Sequence, residues 1–232
     1  SSAVDVIITG FSSIANNAFQ SSGLSGSITL PASVTSIEGS AFQGCSRLTS
    51  VNFNALILLE TIGDSAFEES GVSGNITLPA SLTSIGNNAF RTTLKLFELI
   101  FEPNSQLMTI GSFAFYNSNP TVNKGLSGSI TLPASLTRIE ESAFRQCFNV
   151  TSVSFESNSQ LDTIGNDAFN WMGVSGSITL PKSVTRIGDT AFYKCSSLTS
   201  VNFHELNQLE TIGISAFHLS DLSGSITLPA SL

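Results

Sequence analysis

The dipeptide Ala-Phe recurs nine times along this chain, ending at Phe19, Phe42, Phe67, Phe90, Phe115, Phe144, Phe169, Phe192 and Phe217. Successive copies are 23, 25, 23, 25, 29, 25, 23 and 25 residues apart, so a short and a long unit alternate. A unit this small cannot bury an apolar face of its own. Stacked copies can, each closing the face of the next, which makes the core one-dimensional. The single step of 29 is a short unit carrying six extra residues within Asn117 to Gly125.

Both units share one skeleton. An apolar-x-apolar pair falls nine residues after each Phe, as in Ile28/Leu30, Val51/Phe53, Ile76/Leu78 and Leu99/Phe101, and this alternation predicts a strand with one buried face. Pro31, Pro79, Pro133, Pro181 and Pro229 close that strand in the short units, where a missing N–H costs no ladder bond. A second apolar set follows at Ile37, Ile62, Ile85, Ile110, Ile139, Ile164, Ile187 and Ile212. The buried Ala-Phe then predicts one turn of helix. Nine coils with parallel strands about 4.8 Å apart make a rod of roughly 40 Å. The reading over residues 1–232 is therefore one solenoid, with a parallel sheet on one face and short helical turns and loops on the other. Val4 to Phe11 does not fit the strand register and the last coil stops at PASL, so we expect an excerpt of, or a module within, a longer array.

The repeated LTSIGxxAFxxCxxLTSVNF pattern resembles the BspA-like, or treponemal-type, leucine-rich repeats over essentially the whole chain, from about Ile14 to Leu232. The resemblance implies a leucine-rich-repeat solenoid that is secreted or attached to a cell surface and works in adhesion. It supplies no catalytic residue and no cofactor.

Composition narrows the partners. Charged residues make up 11% of the chain, well below the roughly 25% of ordinary domains, so the exposed faces are largely neutral and polar. The net charge is −8, a surface that repels nucleic acid. Lys and Arg form no cluster that would hold an anionic membrane, and no apolar run approaches the length of a spanning helix. His204 and His218, the only histidines, occupy different slots of adjacent coils, and no phosphate loop, HExxH or GxSxG is present. The expectation is a non-catalytic protein that presents a surface.

Candidate sites are places where a column changes character. The outward strand positions read Ser27/Thr29, Ser50/Asn52, Asn75/Thr77, Glu98/Ile100, Ser129/Thr131 and so on. They form an array of hydroxyls and amides suited to a glycan, a protein or a second copy, with ice as a minor alternative. Ile100 breaks that array, and Phe97 stands where other coils carry Gly or Thr. The expected binding surface is thus Phe97, Glu98, Ile100, Thr77 and Thr131, together with Asn117, Asn119 and Lys124 of the insertion. Trp171 and Leu219 share a slot two residues after their Phe and are expected to be exposed. With Leu228 they are candidates for self-association into a fibre or coat. Cys45, Cys147 and Cys195 lie in one column, two coils or more apart. That is about 10 Å or more along the axis, too far for a disulfide or a shared metal, so three buried thiols are expected.

Overall fold

The computed structural model describes residues 6–118, 125–224 and 226–232, and these wind into the expected solenoid. Coils are numbered here by their Ala-Phe, from coil 1 at Phe19 to coil 9 at Phe217; short coils are even and long coils odd from coil 2 onward. Each coil runs through a longer strand, a corner, a two-residue strand and a turn that ends near the Phe. The core follows the axis. The phenylalanine rings stack from Phe19 to Phe217 with centroids 5.0–5.7 Å apart and planes within 26° of each other. Columns of Ile, Leu and Ala flank the rings and are likewise buried.

The continuous seam of the molecule is the set of two-residue strands. Nine of them, from Ser13–Ile14 to Thr211–Ile212, pair in parallel in strict coil order. The isoleucines point inward and Ser, Thr or Arg point out. A glycine follows most of these isoleucines because coils approach closely there: a Cβ on Gly165 would stand 2.7 Å from the backbone carbon of Glu140.

The longer strands, which we expected to line one face, bond in four separate groups: Ser25–Thr29 with Arg47–Val51 and, on its other side, Val6–Ile7; Ser73–Leu78 with Lys95–Phe101; Ser127–Leu132 with Asn149–Phe155; and Ser175–Ile178 with Ser197–Val201. Each pair of longer strands contains a register shift beside a left-handed glycine (Gly26, Gly74, Gly128, Gly176). The shift leaves one residue of the odd coil unpaired: Thr49, Phe97, Thr151 or Thr199. For the first three, the displaced carbonyl accepts a serine hydroxyl from the next pair, at 3.1 Å from Ser73 to Thr49, 3.1 Å from Ser127 to Phe97 and 3.3 Å from Ser175 to Thr151.

Two expectations change in detail. Val6–Ile7 does enter the strand register, pairing in parallel with Ile28 and Thr29. The Ala-Phe segment is a run of tight turns rather than a helical turn. Around Phe19, Ala18, Gln20 and Ser22 donate within the turn, while Asn17, Phe19 and Ser21 donate to carbonyls of the next coil. Alternate N–H groups thus serve neighbouring coils, which a helix would forbid. Alternation also puts the residues two before and two after most of these phenylalanines at positive φ, among them Thr92, Trp171 and Leu219.

Candidate functional site

The long coils turn the corner in two ways. In coils 3 and 9 an Asn precedes the Phe and ends the strand. Asn52 accepts from Leu30 N–H at 2.8 Å and donates to its carbonyl at 3.0 Å. The chain then makes a 3-10 turn, Phe53–Ala55 or Phe203–Glu205, that buries its phenylalanine. In coils 5 and 7 Ile100 or Ser154 precedes the Phe, and the strand runs on through Phe101 or Phe155, which stay half-buried. A glutamate then reaches back instead: Glu102 accepts from Ala80 N–H at 3.1 Å and Glu156 from Ala134 N–H at 3.0 Å.

The predicted strand-face residues meet on coils 4 and 5. Thr77 lies opposite Ile100, and Asn75 opposite Glu98, whose carboxylate accepts from the Asn75 amide at 2.5 Å. Phe97 is the bulged residue, and the bulge turns its ring into solvent: it is 54% exposed, and Ile100 is 39% exposed. Thr131 stands on the neighbouring pair, its hydroxyl 2.9 Å from that of Ser154; the Ser127–Phe97 bond joins the two pairs. Two apolar side chains therefore stand in a field of hydroxyls, amides and one carboxylate.

The insertion residues are placed differently. Asn117 is 7% exposed, and its N–H donates to the carbonyl of Arg145 at 3.2 Å. It packs at the end of the coil-5 turns, next to Gly125, and away from the strand face. Asn119 and Lys124 lie outside the described residues. Trp171 and Leu219 are both exposed, two coils apart on the turn edge. The Trp171 ring is already engaged, with Lys194 Nζ 4.0 Å above its centroid and Phe148 packed edge-on. Leu228, beyond the last Ala-Phe, is exposed as well.

Sequence reasoning passed over a second group. Ile57 and Leu58 on the coil-3 corner and Met108 on the coil-5 corner are all more than half exposed. Ser159 and Asn207 hold the Ile57 slot in other long coils, Gln160 and Gln208 that of Leu58, and Glu60, Asp162 and Glu210 that of Met108. The signal was legible as a column departure. Met108 and Glu60 flank Thr83 through consecutive backbone bonds, so the apolar positions share one corner of coils 3 to 5.

Cys45, Cys147 and Cys195 are buried free thiols. Each donates to a phenylalanine carbonyl of the preceding coil, at 2.9 Å to Phe19, 3.4 Å to Phe115 and 3.2 Å to Phe169. Burial pushes the Cys147 and Cys195 thiols up to about 12, away from the thiolate form that nucleophilic cysteines use. Among the described residues no three His, Cys, Asp or Glu side chains converge on one point, and no helix is long and apolar enough to cross a membrane.

A family model described as "BspA type Leucine rich repeat region" matches residues 12–125 and 122–232, in six copies. Among solved structures, the pneumococcal vaccine antigen PcpA is similar at 26% identity and a TM-score of 0.63. That likeness covers 98% of this chain but only 61% of the pneumococcal one. A leucine-rich repeat protein of T. pallidum is similar in fold at 24% identity and a TM-score of 0.59, over 72% of this chain and 75% of that one. No curated protein sequence matches the chain at a significant level.

Proposed function

From the premise that the chain belongs to the BspA-type leucine-rich repeat family, we propose that it is a non-catalytic adhesion or recognition module of the cell surface or extracellular space. It holds a protein or glycan partner against the longer-strand face. The observation that carries the reading is the pair Phe97 and Ile100, exposed on a face that is otherwise polar. Exposed aromatic and aliphatic side chains near the middle of a contact area are where binding free energy concentrates. A solenoid supplies the rigid backing that such anchors need. The similarity to a pneumococcal vaccine antigen supports an exposed location.

The test restores the residues of the other coils. Phe97→Thr matches Thr49 and Thr151, and Ile100→Ser matches Ser154, so the double variant keeps the fold. Immobilised matrix proteins and a glycan array are screened with the parent chain and the variant. Binding that falls about tenfold or more supports the site; binding equal in the two chains sinks it.

A second reading has its own observation. Trp171 and Leu219 stand exposed in one column of the turn edge, a strip along which two rods could lie side by side to begin a fibre or coat. Light scattering across a wide concentration range separates the two. A constant monomer mass removes the assembly reading, whereas mass that grows without closure, and returns to monomer in Trp171→Ser, favours it.

A further inference from the structure

We propose that the corner of coils 7 to 9 is a binding groove for a neutral saccharide, separate from the Phe97/Ile100 surface and independent of it. The groove lies where the corner type changes. Coil 7 turns with its strand extended through Phe155, coil 9 turns with the 3-10 segment Phe203–Glu205, and coil 8 forms the floor between these unequal walls. The groove is an open cleft of about 420 Å³, in size within the range of small-molecule sites.

The repeat itself shows what the groove lacks. On coils 4 and 6 the N–H after the corner proline, at Ala80 and Ala134, is bonded by the carboxylate of Glu102 or Glu156. On coil 8 the equivalent N–H belongs to Lys182. Coil 9 offers no reaching glutamate, because Asn202 has already ended the coil-8 strand at Leu180. Among the described residues the Lys182 N–H therefore has no acceptor, as is true of the Ala32 N–H beside the other 3-10 corner; Lys182 differs in lining a cleft.

Two further departures fall at this one place. Lys182 replaces the alanine of Ala32, Ala80, Ala134 and Ala230, and Glu205 replaces the alanine of Ala55. Their charged ends lie 3.7 Å apart across the groove. This exposed pair contributes little to stability, so packing does not account for the exchange. Together the groove offers a backbone N–H and an ammonium that donate, carboxylates of Glu205 and Glu156 that accept, and the half-buried Phe155 ring. An anion would be repelled by the two carboxylates, and an apolar ligand would cover the Lys182 N–H and leave it unpaired. Vicinal hydroxyls donate and accept at once, and the C–H face of a pyranose packs on an aromatic ring. A neutral sugar unit can supply an oxygen to the Lys182 N–H and a C–H face to the Phe155 ring.

The experiment is a heteronuclear NMR titration of the full chain with maltotriose, cellotriose and chitotriose up to about 10 mM, with a heparin hexasaccharide as the acidic comparison. We expect one or more neutral sugars to shift resonances of coils 7 to 9. Affinity should fall about tenfold or more in Lys182→Ala/Glu205→Ala, which restores the alanines of the other coils, and again in Phe155→Leu, which keeps the bulk and removes the ring. The Phe97→Thr/Ile100→Ser chain should titrate like the parent. The proposal is overturned if no neutral sugar binds, if only the acidic one does, or if binding survives both groove variants.

Discussion

Asn202 engages both backbone groups of Leu180: its Oδ1 accepts from the Leu180 N–H at 2.8 Å and its Nδ2 donates to the Leu180 carbonyl at 3.1 Å. One side chain thereby completes the edge of the neighbouring coil and turns its own chain into the 3-10 corner. Asn202→Ala leaves both groups unpaired, and the expected loss is about 1–3 kcal/mol, read from urea unfolding. Asn52→Ala should behave alike at Leu30. An unchanged midpoint for both would show that the corner does not depend on the amide.

The ring column gives a second prediction. Phe144 is buried and stacked on both sides, by Phe115 and Phe169. Phe144→Ala should cost about 3–5 kcal/mol. Phe19, half-buried and stacked only on Phe42 among the described rings, should lose distinctly less on the same change. Equal losses would mean that the column is not the core of the fold.

Thiol chemistry checks burial directly. With Cys147 and Cys195 pushed up to about 12 by burial, neither should react with a maleimide or an aromatic disulfide at pH 8 while the chain is folded. Both should react at once in denaturant. Rapid native-state labelling at either position would contradict the packing of that column.

Acid sensitivity has a named source. The hydroxyls of Thr185 and Thr163 donate to Asp162 and hold its carboxyl below the usual aspartate range, with Arg138 adding to the effect. A carboxylate depressed in the folded state contributes stability that is present above its unfolded pKa of about 3.9 and is lost as pH falls through the folded value. Asp162→Asn should therefore flatten stability against pH below about 4, measured as the denaturation midpoint at successive pH values. An unaltered slope would assign the acid response to other groups.

Most of the architecture was legible because the same residue type returns to the same slot nine times. Phe42, Ile37 and Leu30 could be assigned inward positions from their columns alone. The two corner types were not distinguished, because Phe53 and Phe101 look equivalent in sequence; the preceding residue, Asn52 or Ile100, decides the path. Val6–Ile7 was missed because pairing with Ile28 and Thr29 is a backbone matter that side-chain columns do not report. Phe97 and Ile100 were found as breaks in a column. Lys182 and Glu205 were legible as departures from alanine columns one repeat apart, but the cleft between them was not, because it depends on the path each corner takes.

The two unequal seams bear on how such a rod would respond to pulling. Along the isoleucine side, every coil is tied to the next by an unbroken ladder. Along the other side, the ladder is interrupted after coils 3, 5 and 7, where serine hydroxyls and, in two of the gaps, one backbone bond at the strand entrance span the break. Tension along the axis should open the weak side first, with the continuous seam as the hinge. The rod would then yield in steps of two coils and bend before it unravels. Phe97, whose carbonyl holds one of those three serine bridges, would register the load at the contact surface proposed above.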